Sequence, residues 1–298
     1  MTDRPVTESH VAAPRILIAD GTPVSAQRIV ATFGAPTNAA MFETAFQLHV
    51  PDVRCTTVNI ADGEDLPFGT ALESFDAVVF TGSPLHIYDP SPAVTRQIDF
   101  ARAAFATSTP VWGSCWELQL ATVALGGSVR RSPNGRELGI ARRIILTASG
   151  RSHPLLAARP LAYDALCSHL DEVDVPPERA EVLAGNNISA IQAMAVPTPG
   201  GGEFVGVQYH PEHDLTMSAA LIQMRPEVLV AEGLAMDSGA AYALADDYRA
   251  LHADPNRPDL RWRYGLDAQV LDPRCRTADL GAWLRGSVLK RARLRPLV

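Results

Sequence analysis

Two short stretches carry residues suited to acyl transfer. In "TPVWGSCWELQLATVALGG", residues 109–127, an apolar run of strand length leads into Cys115 and then into a helical pattern closed by Gly126 and Gly127. A cysteine at such a corner faces the amides of a helix start, and the positive end of the helix dipole favours the thiolate, its reactive form. In "EFVGVQYHPEHD", residues 203–214, a strand delivers His210 and, across a proline, Glu212. A cysteine hydrolase needs an imidazole that takes the thiol proton and returns it to the leaving amine, and a carboxylate that fixes the imidazole tautomer. His-Pro-Glu supplies both at one strand end. Taken singly, each has a plainer reading: a buried structural cysteine, and a polar residue at a strand terminus.

The elements around these residues alternate between strand and helix. "RILIAD" (15–20) is an apolar run followed by Gly-Thr-Pro and a helical pattern through "VSAQRIVATF". "VRCTTVNI" (53–60) alternates as a strand, and "FDAVVFTGSP" (75–84) reads as a buried strand ending in a turn. "SPAVTRQIDFARAAFAT" (91–107) is a helix opened by Ser91 and Pro92, and "PVWGSC" is strand again. This alternation predicts an α/β fold with a mostly parallel sheet flanked by helices, and functional residues at the carboxyl ends of strands. From about residue 128 consecutive strand-like runs predict a small antiparallel addition.

The expected organisation is a flexible tail over 1–14, a catalytic domain over 15–216 and a helical C-terminal extension over 217–298. In the last helix Leu280, Trp283, Leu284, Val288 and Leu289 share one face. That face either packs on the body of the protein or meets a partner, a second copy of the chain included.

A net charge of -7 gives no reason to expect a nucleic-acid or anionic-membrane surface. The start "MTDRPVTESHVAAP" has no apolar core of signal-peptide length, and no segment approaches the ~20 apolar residues of a spanning helix, so a cytoplasmic protein without a membrane anchor is expected. Cys55, Cys115, Cys167 and Cys275 are widely spaced, which suggests neither a disulfide framework nor a zinc site. Lys290 is the only lysine and no P-loop sequence occurs, so ATP activation by that route is not expected. His213 reads as a solvated histidine, and His86 and His153 as loop or surface groups.

Together these segments resemble the class I (triad-type) glutamine amidotransferase family, in particular its GMP synthase glutaminase-like branch. The resemblance covers roughly residues 15 to 216. "VVFTGSP" is similar to the family's oxyanion-hole turn, "GSCWELQLA" to its nucleophile segment, "SHLDEV" to the Ser-His-x-Asp segment of that branch, and "GVQYHPE" to its His-Pro-Glu segment. "GRELG" and "HPLL" also recur at familiar places.

The resemblance implies a flavodoxin-like architecture, with Cys115 as nucleophile, His210 as general acid/base and Glu212 orienting His210. It implies that Gly82, Ser83 and the Trp116 amide serve the oxyanion, and that Gln119, Ser168, His169 and Asp171 line the substrate pocket. The implied reaction is hydrolysis of a γ-carboxamide through a γ-glutamyl thioester, needing no cofactor and no metal. Glutamine would be the substrate and ammonia the product, with any accepting synthetase a separate protein. Two alternatives stand beside it: a γ-glutamyl peptide or amide as substrate of the same triad, and a catalytically weak regulatory or binding protein that works through its C-terminal helices.

One position leaves the family pattern most visibly. Glycine is usual two residues after the nucleophile and an apolar residue before it, whereas this chain has Glu117 and Ser114. A carboxylate beside the thiol would favour protonated sulfur or alter the pocket, making Glu117 a candidate specificity residue. Its plainer reading is a first-turn helix residue favoured by the dipole and pointing elsewhere.

Overall fold

The computed structural model describes residues 12–295, so the expected tail lies outside the described residues up to position 11. Its frame is a nine-stranded sheet. The strands are β1 (Arg15–Asp20), β2 (Arg54–Asn59), β3 (Ala77–Phe80), β4 (Val111–Ser114), β5 (Ser128–Arg131), β6 (Glu137–Leu146), β7 (Ala162–His169), β8 (Asp171–Val175), β9 (Glu181–Gly185), β10 (Ala193–Pro197) and β11 (Glu203–Val207). The order in the sheet is β2-β1-β3-β4-β11-β10-β9-β6-β7. The first five are mutually parallel, while β10, β9, β6 and β7 continue the sheet antiparallel. A separate two-stranded ribbon joins β5 to β8.

Every residue of β3 and β4 is buried, as expected of parallel strands covered on both faces. Side chains alternate between two cores. Ile16 and Ile18 join Val79, Trp112 and Val205 on one face, whereas Leu17 and Ala19 join Val78, Phe80 and Phe204 on the other. Between β3 and β4 runs the helix Pro92–Phe105, whose Ser91 hydroxyl accepts from the Val94 amide at 3.2 Å. A second helix, Asn38–His49, was not among the elements read from sequence. Thr37 caps it by accepting from the Ala40 amide at 3.2 Å.

The C-terminal helices share the cores of the sheet. Leu280, Trp283, Leu284 and Val288 are buried against Phe46 and Trp112, with Trp283 only 2% exposed. The Trp283 ring lies 5.7 Å from that of Trp112 and 6.3 Å from that of Phe46. The apolar face of this segment therefore packs on the body, which overturns the alternative of a partner bound through it. The chain covers that face itself. At the start of the C-terminal extension the helical run breaks at Pro226 into Leu215–Gln223 and Pro226–Ala231, because proline lacks the amide that would continue the ladder. Among the described residues no helix is long and apolar enough to cross a membrane.

Candidate active site

Adjacent parallel strands bring the two chemical stretches together. β4 pairs with β11 in the register Gly113↔Gly206 and Ser114↔Val207, so Cys115 and the chain leading to His210 leave the sheet at the same edge. Cys115 is fixed there by its own amide, which donates to the Val207 carbonyl at 2.7 Å. Its backbone has φ 65° and ψ −101°, a left-handed conformation that a side-chain-bearing residue adopts only under constraint. The sharp corner turns the thiol out of the sheet and into a cavity at the start of the helix Trp116–Ala124.

Two glycines make the corner sterically feasible. A Cβ on Gly113 would meet the Glu117 Cβ at 2.4 Å, and one on Gly82 would lie 3.2 Å from Asn38 Nδ2 and 3.5 Å from His210 Cε1. The carbonyl of Gly82 is held by the hydroxyl of Thr22 and by Asn38 Nδ2, the latter at 3.2 Å. Ser114, unusual before such a cysteine, accepts from the Trp112 indole at 3.0 Å.

Cys115, His210 and Glu212 converge. The Cys115 thiol donates to the Ser168 carbonyl at 3.4 Å, and both Cys115 and His210 line the cavity. His210 donates from Nδ1 to Glu212 Oε1 at 2.6 Å, which leaves Nε2 for proton transfer. Burial works against charging this imidazole, but Glu212 and Cys115 outweigh it and lift its pKa to about 10. His213, expected to be solvated, is instead buried and stacked on His210, with ring centres 3.7 Å apart and planes 3° from parallel. Burial and the cationic His210 push its pKa well down, so it is a neutral slab that fixes the His210 ring. His210, Glu212 and His213 could geometrically hold a cation, but the short His210–Glu212 bond occupies one pair of those ligand atoms with a proton.

Gly82, Ser83, Trp116, Gln119, Ser168, His169 and Asp171 all line a cavity of about 470 Å³ with Cys115 and His210. Three of them are tied to one another. Gln119 Nε2 donates to the Asp171 carbonyl at 3.0 Å, and His169 Nδ1 lies 3.1 Å from the same oxygen. His169 Nε2 reaches Glu137 at 2.9 Å. The Asp171 carboxylate takes His86 at 2.5 Å and Tyr88 at 2.9 Å, so His86 is part of this site rather than a plain surface group. His153 accepts from the Leu155 amide at 3.3 Å in a loop remote from these residues in sequence.

Glu117 is fully buried, is not among the residues lining the cavity, and neither of its carboxyl oxygens has a hydrogen-bond partner among the described residues. Burial, reinforced by Cys115 and Glu212, raises its pKa well above 4.5. A protonated Glu117 carries no charge with which to oppose a thiolate. Thr22, Asn38, Tyr88 and Arg225, which also shape the site, carried no motif in the sequence, whereas Arg136 lies in the "GRELG" segment. Only the Thr37–Asn38 capping pattern was available as a signal for one of the former.

The fold and the thiol–imidazole–carboxylate edge define the class: the chain belongs to the class I glutamine amidotransferase family, whose model matches residues 42–224. It is 35% identical over 222 residues to a gamma-glutamyl-L-1-hydroxyisopropylamide hydrolase of a Pseudomonas species, spanning 74% of each chain. It is 34% identical over 122 residues to one subunit of a glutamine-hydrolyzing GMP synthase from Methanoculleus marisnigri, 41% of this chain and 62% of that one. A glutamine amidotransferase from Thermotoga maritima has the same fold, with a TM-score of 0.64 at 18% identity over 92% of this chain and 98% of that one.

Proposed function

We propose that the protein is a thiol amidase that cleaves the γ-amide bond of γ-glutamyl compounds, with Cys115 as nucleophile, His210 as general acid/base and Glu212 as the group orienting His210. The observation that carries this is the His210–Glu212 bond of 2.6 Å beside a cysteine held at φ 65° in one cavity. The Cys115 thiolate attacks the amide carbonyl. The oxyanion is received by the Trp116 amide at the helix start and by the Gly82–Ser83 turn, each such donor being worth about 2.7–4 kcal/mol. His210, charged as imidazolium, gives its proton to the leaving amine as the thioester forms. Neutral His210 then takes a proton from water, which hydrolyses the thioester to release glutamate.

The cavity supports an amide larger than glutamine. Its walls include Ile29, Val30, Met217, Leu221 and Met224, apolar surface for which an ammonia leaving group has no use. The Pseudomonas relative, matched along 74% of its length, is named for a γ-glutamyl amide carrying a hydroxyalkyl group. Glutaminase activity feeding a separate synthetase is the second reading, favoured by the match to a GMP synthase subunit. Steady-state rates on glutamine and on γ-glutamyl alkylamides separate the two: the alkylamides are expected to give the higher kcat/KM. Cys115→Ala is expected to lower turnover at least ~10³-fold. An alanine variant with undiminished turnover overturns the mechanism, and preference for glutamine overturns the substrate class.

A further inference from the structure

The charged side chains lining the cavity are balanced, with one exception. Asp171 is taken up by His86 and Tyr88, and Arg136 is paired through Nε with Glu232 at 2.7 Å. Arg225 lines the same cavity between the helices Leu215–Gln223 and Pro226–Ala231. Among the described residues its guanidinium has neither an ion pair nor a hydrogen bond; its only bonds are those of its backbone. Burial and the neighbouring Arg136 both work against its charge. A guanidinium cannot shed its proton at neutral pH, so this charge stays, half-buried beside Met217, Leu221 and Met224, without a counter-ion.

We propose that Arg225 binds a carboxylate of the substrate, so that the cavity selects γ-glutamyl compounds by a negative charge held away from the scissile bond. The planar fork of a guanidinium matches a carboxylate through two parallel hydrogen bonds, and burial beside apolar side chains strengthens each. The inference rests on the γ-glutamyl amide reading above. Two substrate groups carry this chemistry: the α-carboxylate of the glutamyl portion, and the carboxylate of a leaving amino acid.

The test compares wild type, Arg225→Gln and Arg225→Lys on γ-glutamyl-p-nitroanilide, which has only the α-carboxylate, and on γ-glutamylglycine, which has both. Arg102→Gln, on an exposed helix surface, serves as control. Arg225→Gln is expected to raise KM at least about tenfold with little change in kcat or melting temperature, and lysine to restore part of the loss. A rise on both substrates assigns the α-carboxylate. A rise confined to γ-glutamylglycine assigns the leaving group. Unchanged KM on both overturns the proposal while leaving the amidase reading intact. If wild type hydrolyses neither substrate, calorimetry of γ-glutamylglycine on Cys115→Ala protein still decides. A further Arg225→Gln change that weakens binding about tenfold supports the site; no binding, or binding that the change leaves unaltered, overturns it.

Discussion

Tyr209 and His210 are consecutive and both buried, yet they serve two clusters of opposite character. Tyr209 donates to Asp279 Oδ2 at 2.5 Å, and Asp279 pairs with Arg159 at 2.6 Å. Arg159 also donates to Gln269 and to the carbonyls of Cys275 and Arg276, and it lies 4.7 Å above the Tyr163 ring. There charge meets charge, which ties the C-terminal helices to β7. On the other side, His210 is joined to Glu212, while Glu212 Oε2 and both oxygens of Glu117 have no partner among the described residues. The first network, whose charges are paired although Arg159 Nε has no hydrogen-bond partner among the described residues, holds position. Open networks keep protonation states movable, which is what acid–base chemistry needs and what makes such sites a burden on stability.

Three substitutions would sharpen or break this contrast. The largest effect is expected from Glu212→Gln, which should lower kcat about 10²- to 10⁴-fold by releasing the His210 tautomer. It should also return the His210 pKa from about 10 toward 6.5, as read by NMR titration of the ring. In wild type, a raised imidazole pKa contributes stability that is complete below 6.5 and lost as pH climbs through about 10, so the glutamine variant should lose less stability in that window. An imidazole still titrating near 10 would show that Glu212 does not set it.

Next comes Asp279→Asn, in the charge-paired network. Leaving Arg159 buried without its counter-charge should destabilise the fold by ~3–5 kcal/mol in urea denaturation, with kcat in the surviving native protein little changed. Loss of activity without loss of stability would mean that the two clusters are not separable.

The smallest effect is expected from Glu117→Gln. Because burial raises the Glu117 pKa in the folded state, the unfolded chain loses this proton first, and wild type forfeits stability as pH rises above 4.5. The glutamine variant lacks this slope. Its advantage in melting experiments should widen with pH by up to ~1.4 kcal/mol per unit, the limit for a single proton. Parallel stability curves would mean that Glu117 is ionised in the native protein.

Much of the frame was legible because periodicity reports burial. "RILIAD" is β1 residue for residue, and Ser91 caps its helix as read. The helix Asn38–His49 escaped because its apolar residues do not form a clean stripe: Ala39, Met41, Phe42, Ala45 and Phe46 are buried on a broad face. The antiparallel strands were visible singly, but not that four of them extend the parallel sheet, since pairing between distant strands leaves no local trace. Motif residues around Cys115 and His210 could be named in advance. His213, His86 and Arg225 could not, because what matters about them is which side chain stands opposite.

Residue identity alone determined that a thiol would stand at a strand-to-helix corner, that His-Pro-Glu would close another strand, and that Glu117 would be the odd neighbour. Local sequence carries such information because strand and helix patterns are short-range. Tertiary structure decided the rest: that β4 and β11 lie side by side, that Glu117 is sealed away from water with its pKa raised by burial, that His213 stacks on His210, and that Arg225 faces the cavity with no counter-ion among the described residues. Each depends on the distance and dielectric between groups far apart in sequence, and those are set only when the chain has packed.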